Sequence, residues 1–193
     1  MLPFLTHTLL RGDQVYLTRV QRADCTAIAR WTEDMEYSRL LRRNEAFPST
    51  AEEMEGWIFS NRSGHDEELF FAIRRIEGDQ LVGMVGLNRI MRQPRHCMFW
   101  IGIGEPASRG MGFGSEALRL MLQWCFLEMN LNRVGLEVMS YNTRAIATYE
   151  RMGFQHEGRQ RQSVIRDGVY YDLILMSILR SEWEALYHPP VAS

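Results

Sequence analysis

Cysteine is scarce and scattered in this sequence. Its three copies, Cys25, Cys97 and Cys125, form no Cys-x-x-Cys pair, and their odd number suits no disulfide framework. The five histidines fall at no metal-ligand spacing, so no metal site is expected. An excess of either charge is missing too. A formal net charge of −2 provides no global attraction to nucleic acid or to an anionic membrane, and neither partner is expected. Long apolar runs are also lacking. The opening "MLPFLTHTLLRG" has no basic leading segment, is interrupted by Thr6, His7 and Thr8, and is too short to span a bilayer. With unpaired cysteines, these absences point to the cytoplasm. No Pro/Gly/Ser-rich linker, repeat or low-complexity tract divides the 193 residues. At 46% hydrophobic and 24% charged, they are expected to form one domain, 1–193, with a continuous core.

What is present alternates in a definite order. "DQVYLTRV" (13–20) predicts a first strand, followed by a helix from Asp24 to Trp31. The segment 33–47 is polar and reads as irregular. Ser49 stands three residues before Glu52, the spacing of a capping box, so a helix is expected to begin there. Three apolar runs, 68–76, 81–90 and 96–104, are joined by short turns and predict an antiparallel meander. Leu118, Met121, Leu122, Cys125 and Met129 then recur at helical spacing. A strand at 132–140, a helix at 142–154 capped by Asn142, and two strands at 155–164 and 169–179 complete the chain. The last strand is apolar on both alternating sets except at Asp172 and Ser177, which predicts a buried central position. The fold class is α/β, with a mixed, mostly antiparallel sheet of about seven strands flanked by helices.

Between the third meander strand and the long helix lies "RGMGFGSEAL" (109–118), with glycines at 110, 112 and 114. Glycine in an ordered segment costs about 0.5–1 kcal/mol relative to alanine, so three together require a cause. A glycine-rich loop at a helix N-terminus leaves backbone N–H groups free beside the positive end of the helix dipole, a setting for phosphate. A P-loop would end in Gly-Lys-Ser/Thr, and no lysine stands there. A dinucleotide fingerprint could start at Gly110 and Gly112, but its third glycine is Ser115 and the meander upstream does not suit a parallel sheet.

A third pattern fits. Arg109-Gly110-Met111-Gly112-Phe113-Gly114 matches R/Q-x-x-G-x-G/A, and Asn142, Ala145, Tyr149, Gly153 and Phe154 match N-x-x-A-x-x-x-Y-x-x-x-G-F. Across residues 13–183 the chain resembles the GNAT superfamily of N-acetyltransferases. Its tail, "EGRQRQSVIRDGVYYDLILMSILRSEW", resembles the branch that acetylates ribosomal-protein N-termini and its relatives. The resemblance implies acetyl transfer from acetyl-CoA, as co-substrate, to a primary amine by direct attack in a ternary complex. It implies that Arg109, Gly110, Met111, Gly112, Phe113, Gly114 and Ser115 hold the pyrophosphate. It also implies that the strand at Ile101, Gly102 and Ile103 splays and receives the pantetheine arm, with Asn142 facing the cofactor. Gly102 and Gly104 are expected to mark a β-bulge there.

That chemistry sets two needs. An alkylamine with a pKa of about 10.4 is only about one part in a thousand neutral at pH 7, so a carboxylate or water chain must remove a proton. The departing thiolate gains from a hydrogen-bond donor, and Tyr149, seven residues beyond Asn142 on one helical face, is the candidate. For the base, Glu33, Asp34, Glu36 and Glu45 crowd the segment that lies over the acceptor site in this superfamily. Glu36, within 33–36, is the choice, and Glu105 stands too near the loop. The acceptor is open among protein N-termini, polyamines and small molecules, as is the oligomeric state, monomer or homodimer. A non-catalytic acyl-CoA sensor and a nucleotide-binding regulator are rival functions on the same elements.

Overall fold

The computed structural model describes residues 10–60 and 68–187. The opening segment read above for a leader lies mostly outside them. Seven strands form one sheet in the order β1-β2-β3-β4-β5-β7-β6. They are β1 (Val15–Arg19), β2 (Leu69–Arg75), β3 (Leu81–Met91), β4 (His96–Ile103), β5 (Arg133–Met139), β6 (Gln155–Arg166) and β7 (Val169–Leu179). Every neighbouring pair is antiparallel except β4 with β5.

Alternation along the strands divides the apolar residues between two faces. Phe71, Ile73, Val85, Leu87 and Phe99 face a core completed by α4 (Phe113–Gln123), α5 (Thr143–Arg151) and α6 (Arg180–Tyr187). Ala72 and Met84 face a second core closed by α1 (Cys25–Glu33) and α3 (Ala51–Phe59). The apolar stripe on α4 runs on into a single π-helical turn at Trp124–Glu128, with Cys125 and Phe126 buried.

Four local expectations are corrected. The segment after Glu33 is not irregular, because Asp34 accepts a hydrogen bond from the Tyr37 backbone N–H and starts α2 (Met35–Leu41). The capping box of α3 is Thr50 with Glu53, one residue beyond the Ser49–Glu52 pair of equal spacing. Ser49 instead donates its backbone N–H to Thr32 Oγ1 at 2.7 Å. The last strand, β7, does lie inside the sheet between β5 and β6, but its first residues, Val169 and Tyr170, are exposed. Finally, no bulge falls at Gly102, since β3 and β4 pair without interruption from Gly83–Ile103 to Asn88–Met98.

Among the described residues, no helix is long and apolar enough to cross a membrane.

Candidate active site

The parallel junction in the sheet is short. β4 and β5 pair only from His96–Arg133 to Met98–Gly135. Beyond that point the strands part, leaving Phe99–Ile103 and Leu136–Met139 with no strand partner on their facing edges among the described residues. A cleft of about 420 Å³ fills the opening and continues over the start of α4.

At its mouth the glycine loop supplies backbone donors. Gly110 and Gly112 have φ of +86° and +88°, left-handed conformations that a residue with a side chain enters only under strain. Gly112 is the N-cap of α4 and accepts the first helical bond, from the Glu116 N–H at 3.1 Å. Among the described residues, the backbone N–H groups of Gly110 to Ser115 take no protein partner. They stand at the positive end of the helix dipole, the arrangement that binds a pyrophosphate. Acetyl-CoA, which carries one, fits this cradle. Gly114 is not in the left-handed region, and a Cβ there would lie 3.5 Å from the Ile103 side chain, an ordinary contact, so the protein itself does not require glycine at that position.

Arg109 faces the other way. Its guanidinium donates to the Ile103 carbonyl at 3.1 Å and the Gly104 carbonyl at 2.9 Å, and pairs with Asp34 at 2.7 Å. It therefore ties the loop to the end of β4 and to the cap of α2, with three of its five N–H groups engaged. The hydrogen bond from Arg109, reinforced by the Tyr37 N–H, holds the Asp34 carboxyl below its ordinary range. Met111 is 52% exposed and does not line the cleft, so the loop can use it only through its backbone. Phe113 lines the cleft but is buried in the main core. Gly102 and Gly104 make room for side chains. A Cβ on Gly102 would lie 2.8 Å from the Tyr37 hydroxyl oxygen and 2.7 Å from Leu41 Cδ1, and one on Gly104 would overlap the Trp31 indole. These glycines bring α1 and α2 down onto the strand, which is their physical reason.

The far wall of the cleft is α5. Asn142 caps it, its side chain accepting the Ala145 N–H at 3.2 Å, and both residues line the cleft. Tyr149 is 8% exposed, packs against Phe154, and lines the cleft with no hydrogen bond to its hydroxyl among the described residues. Burial pushes its phenol up to about 12, so it stays protonated across the working pH range. Arg144 was not anticipated. Its Nη2 would be 3.4 Å from a Cβ on Gly110, placing a cation beside the anion-binding loop. A positive charge in the first turn of a helix opposes the dipole, and that disfavoured position is the signal that could have found it.

A second space, about 1120 Å³, adjoins the cleft beneath α1, α2 and α3. The two share Tyr37, Leu41, Trp100 and Glu137 as walls. Glu137 reaches this position by strand alternation: Val134, Leu136 and Val138 enter the main core, so Glu137 points to the opposite face. Its carboxylate meets Arg89 at 3.1 Å. The carboxylates expected as bases are distributed otherwise. Glu36 lines the cleft alone, Glu45 lines the larger chamber alone, Glu33 lines neither, and Glu105 pairs with Arg30 at 3.2 Å. Residues 101–103, 109, 110, 112–115, 142 and 149 all line the cleft. The three cysteines are buried and line neither space. Among the described residues, no group of three or more His, Cys, Asp or Glu could hold a metal ion.

Known proteins resemble this chain along most of its length. Residues 14–155 match the family described as acetyltransferase (GNAT) domain. The chain is 28% identical over 179 residues to a prophage-derived N-acetyltransferase of Bacillus subtilis, covering 92% of this chain and 96% of that one. It is 33% identical over 103 residues to a spermidine N(1)-acetyltransferase of Vibrio cholerae, 53% of this chain and 59% of that one. The crystal structure of spermidine N-acetyltransferase from Vibrio cholerae in complex with CoA and spermine superposes with a TM-score of 0.78 at 26% identity. The match covers 89% of this chain and 99% of that one.

Proposed function

The chain belongs to the GNAT family and is an acetyl-CoA-dependent acyltransferase that acetylates an amine, and on that premise we propose that the acceptor is a small molecule entering by the larger chamber. The spermidine enzymes among its relatives support a small-molecule acceptor. The observation that carries the proposal is the shared wall of Tyr37, Leu41, Trp100 and Glu137, where a cofactor lying in the cleft and an amine in the chamber can meet.

Acetyl-CoA supplies an activated acetyl thioester. The chain's residues do the rest. The N–H groups of Gly110 to Ser115 hold the pyrophosphate, with Arg144 beside them. The open edges of β4 and β5 offer unpaired backbone groups to the amides of the pantetheine arm. Direct attack by the amine suits a site with no cysteine at its walls. An amine arriving as ammonium must lose a proton, and Glu137 is the carboxylate placed to receive it. Among the described acidic residues it alone lines both spaces, whereas Glu36 reaches only the cleft. The Tyr149 hydroxyl donates a hydrogen bond to the departing sulfur. A phenol near 12 gives up its proton to a thiolate of pKa about 8.5 only uphill, so it acts chiefly by hydrogen bonding in the transition state.

An acceptor screen with labelled acetyl-CoA tests this proposal. Label should pass to a small primary amine. Acetyl-CoA binding without label reaching any small amine would overturn it.

A further inference from the structure

The larger chamber has two unlike walls. One is aromatic and apolar. Trp57 stacks on Trp100 at 5.9 Å between ring centroids, and Ile28, Met54 and Met84 continue the surface. Gly86 on β3 lets the Trp100 ring lie flat over the strand, since a Cβ there would overlap the indole.

The other wall carries three carboxylates and three guanidiniums, and they differ in how they are engaged. Of its three carboxylates, Glu53 accepts the Thr50 N–H at 2.8 Å in the cap of α3 and Glu137 pairs with Arg89. Glu45 remains. The same wall carries Arg42, laid over the Phe47 ring at 4.9 Å, and Arg43, whose Nη2 donates to Ser163 at 2.6 Å. Neither guanidinium meets a carboxylate among the described residues. The backbone beneath them is held by Arg166, which donates to the Arg42 carbonyl at 2.6 Å and the Asn44 carbonyl at 3.2 Å. The two cations are thus presented to the chamber from a fixed segment.

Arg42 and Arg43 repel any further ammonium group of a polyamine that reaches them, whereas a primary monoamine brings none. Its ammonium can meet Glu137 at the shared wall, with an aromatic ring seated on Trp57 and Trp100 and an anionic group on the guanidiniums. We propose that the acceptor is a primary monoamine with an aromatic-sized apolar body and an anionic group at its far end. This inference rests on the acetyl-transfer reading above and narrows its substrate class.

The test compares three amines under saturating acetyl-CoA: para-(aminoethyl)benzoate, phenethylamine and spermidine. The expected order of kcat/KM is the one just given, with the benzoate about tenfold above phenethylamine, as one charge pair can supply. Arg43→Glu, at an exposed position, should lower kcat/KM for the benzoate by about tenfold, keep phenethylamine within about twofold, and leave KM for acetyl-CoA unchanged. Spermidine as the best of the three, or equal losses on all three in Arg43→Glu, would overturn the inference and leave acetyl transfer standing. No turnover of any small amine would overturn both.

Discussion

In the cleft, the groups that face a ligand are mostly backbone: the N–H groups of Gly110 to Ser115 and the open edges of β4 and β5. In the adjoining chamber they are side chains from eight separate segments, among them Trp57 on α3, Trp100 on β4, Glu137 on β5 and Arg42 and Arg43 after α2. The first kind of site recognises what every CoA ester shares. It depends on chain conformation and tolerates change only where φ allows. The second kind recognises what distinguishes one amine from another, through side chains such as Trp57, Glu137 and Arg43 rather than through chain conformation.

The sharpest way to break this contrast is Gly112→Val. At φ +88° a β-branched residue is strained, and its Cβ, which meets no protein atom nearer than 3.8 Å, projects into the space a pyrophosphate needs. The roughly 2.7 kcal/mol of stabilisation expected from acetyl-CoA at a hundred times its Kd should disappear in a thermal-shift titration. Tyr149→Phe comes next. It should lower kcat about a hundredfold while acetyl-CoA affinity stays within a factor of about two, as stopped-flow and binding measurements would show. Retention of more than about half of kcat, with chemistry rate-limiting, would leave Tyr149 as packing against Phe154.

Glu137→Gln should lower kcat/KM for the acceptor by about tenfold to a hundredfold and steepen the rise of rate with pH, since only amine already neutral in solution would react. Glu36→Gln should do less than Glu137→Gln, and the reverse ranking would move the base into the cofactor cleft. The smallest effect is expected from Asp34→Asn. The Asp34 carboxyl is depressed in the folded state by Arg109, so its contribution is present above the unfolded-state value of about 3.9 and is lost as pH falls through the lower folded value. In urea titrations the variant should be less stable at pH 7, by no more than about 1 kcal/mol for this partly exposed pair. That deficit should vanish in strong acid.

The same contrast decides how much was legible beforehand. Strand alternation, the Asn142 cap and the spacing of glycines are local patterns, and the sheet, α5 and the loop follow from them with edges moved by up to three residues. Where two local signals compete, the pattern does not choose. Ser49–Glu52 and Thr50–Glu53 have equal spacing, and the engagement of the Ser49 N–H by Thr32 decides in favour of Thr50. α2 was hidden by its polar composition, because its cap, Asp34, is also held by a residue far away in sequence, Arg109. The roles of Gly102 and Gly104 depend on Tyr37 and Trp31, which touch them only once the helices dock. Glu137 and Arg144 carry no local mark of their place at the two spaces beyond strand alternation and an awkward charge at a helix start.

The most direct test of the central claim is a crystal structure with CoA and an acceptor amine bound together. The pyrophosphate should lie within hydrogen-bond distance of N–H groups between Gly110 and Ser115, the CoA sulfur beside the Tyr149 hydroxyl, and the amine should reach it from the larger chamber past Glu137. A pyrophosphate bound away from that loop, or an amine entering from any side other than the wall shared by the two spaces, would contradict it.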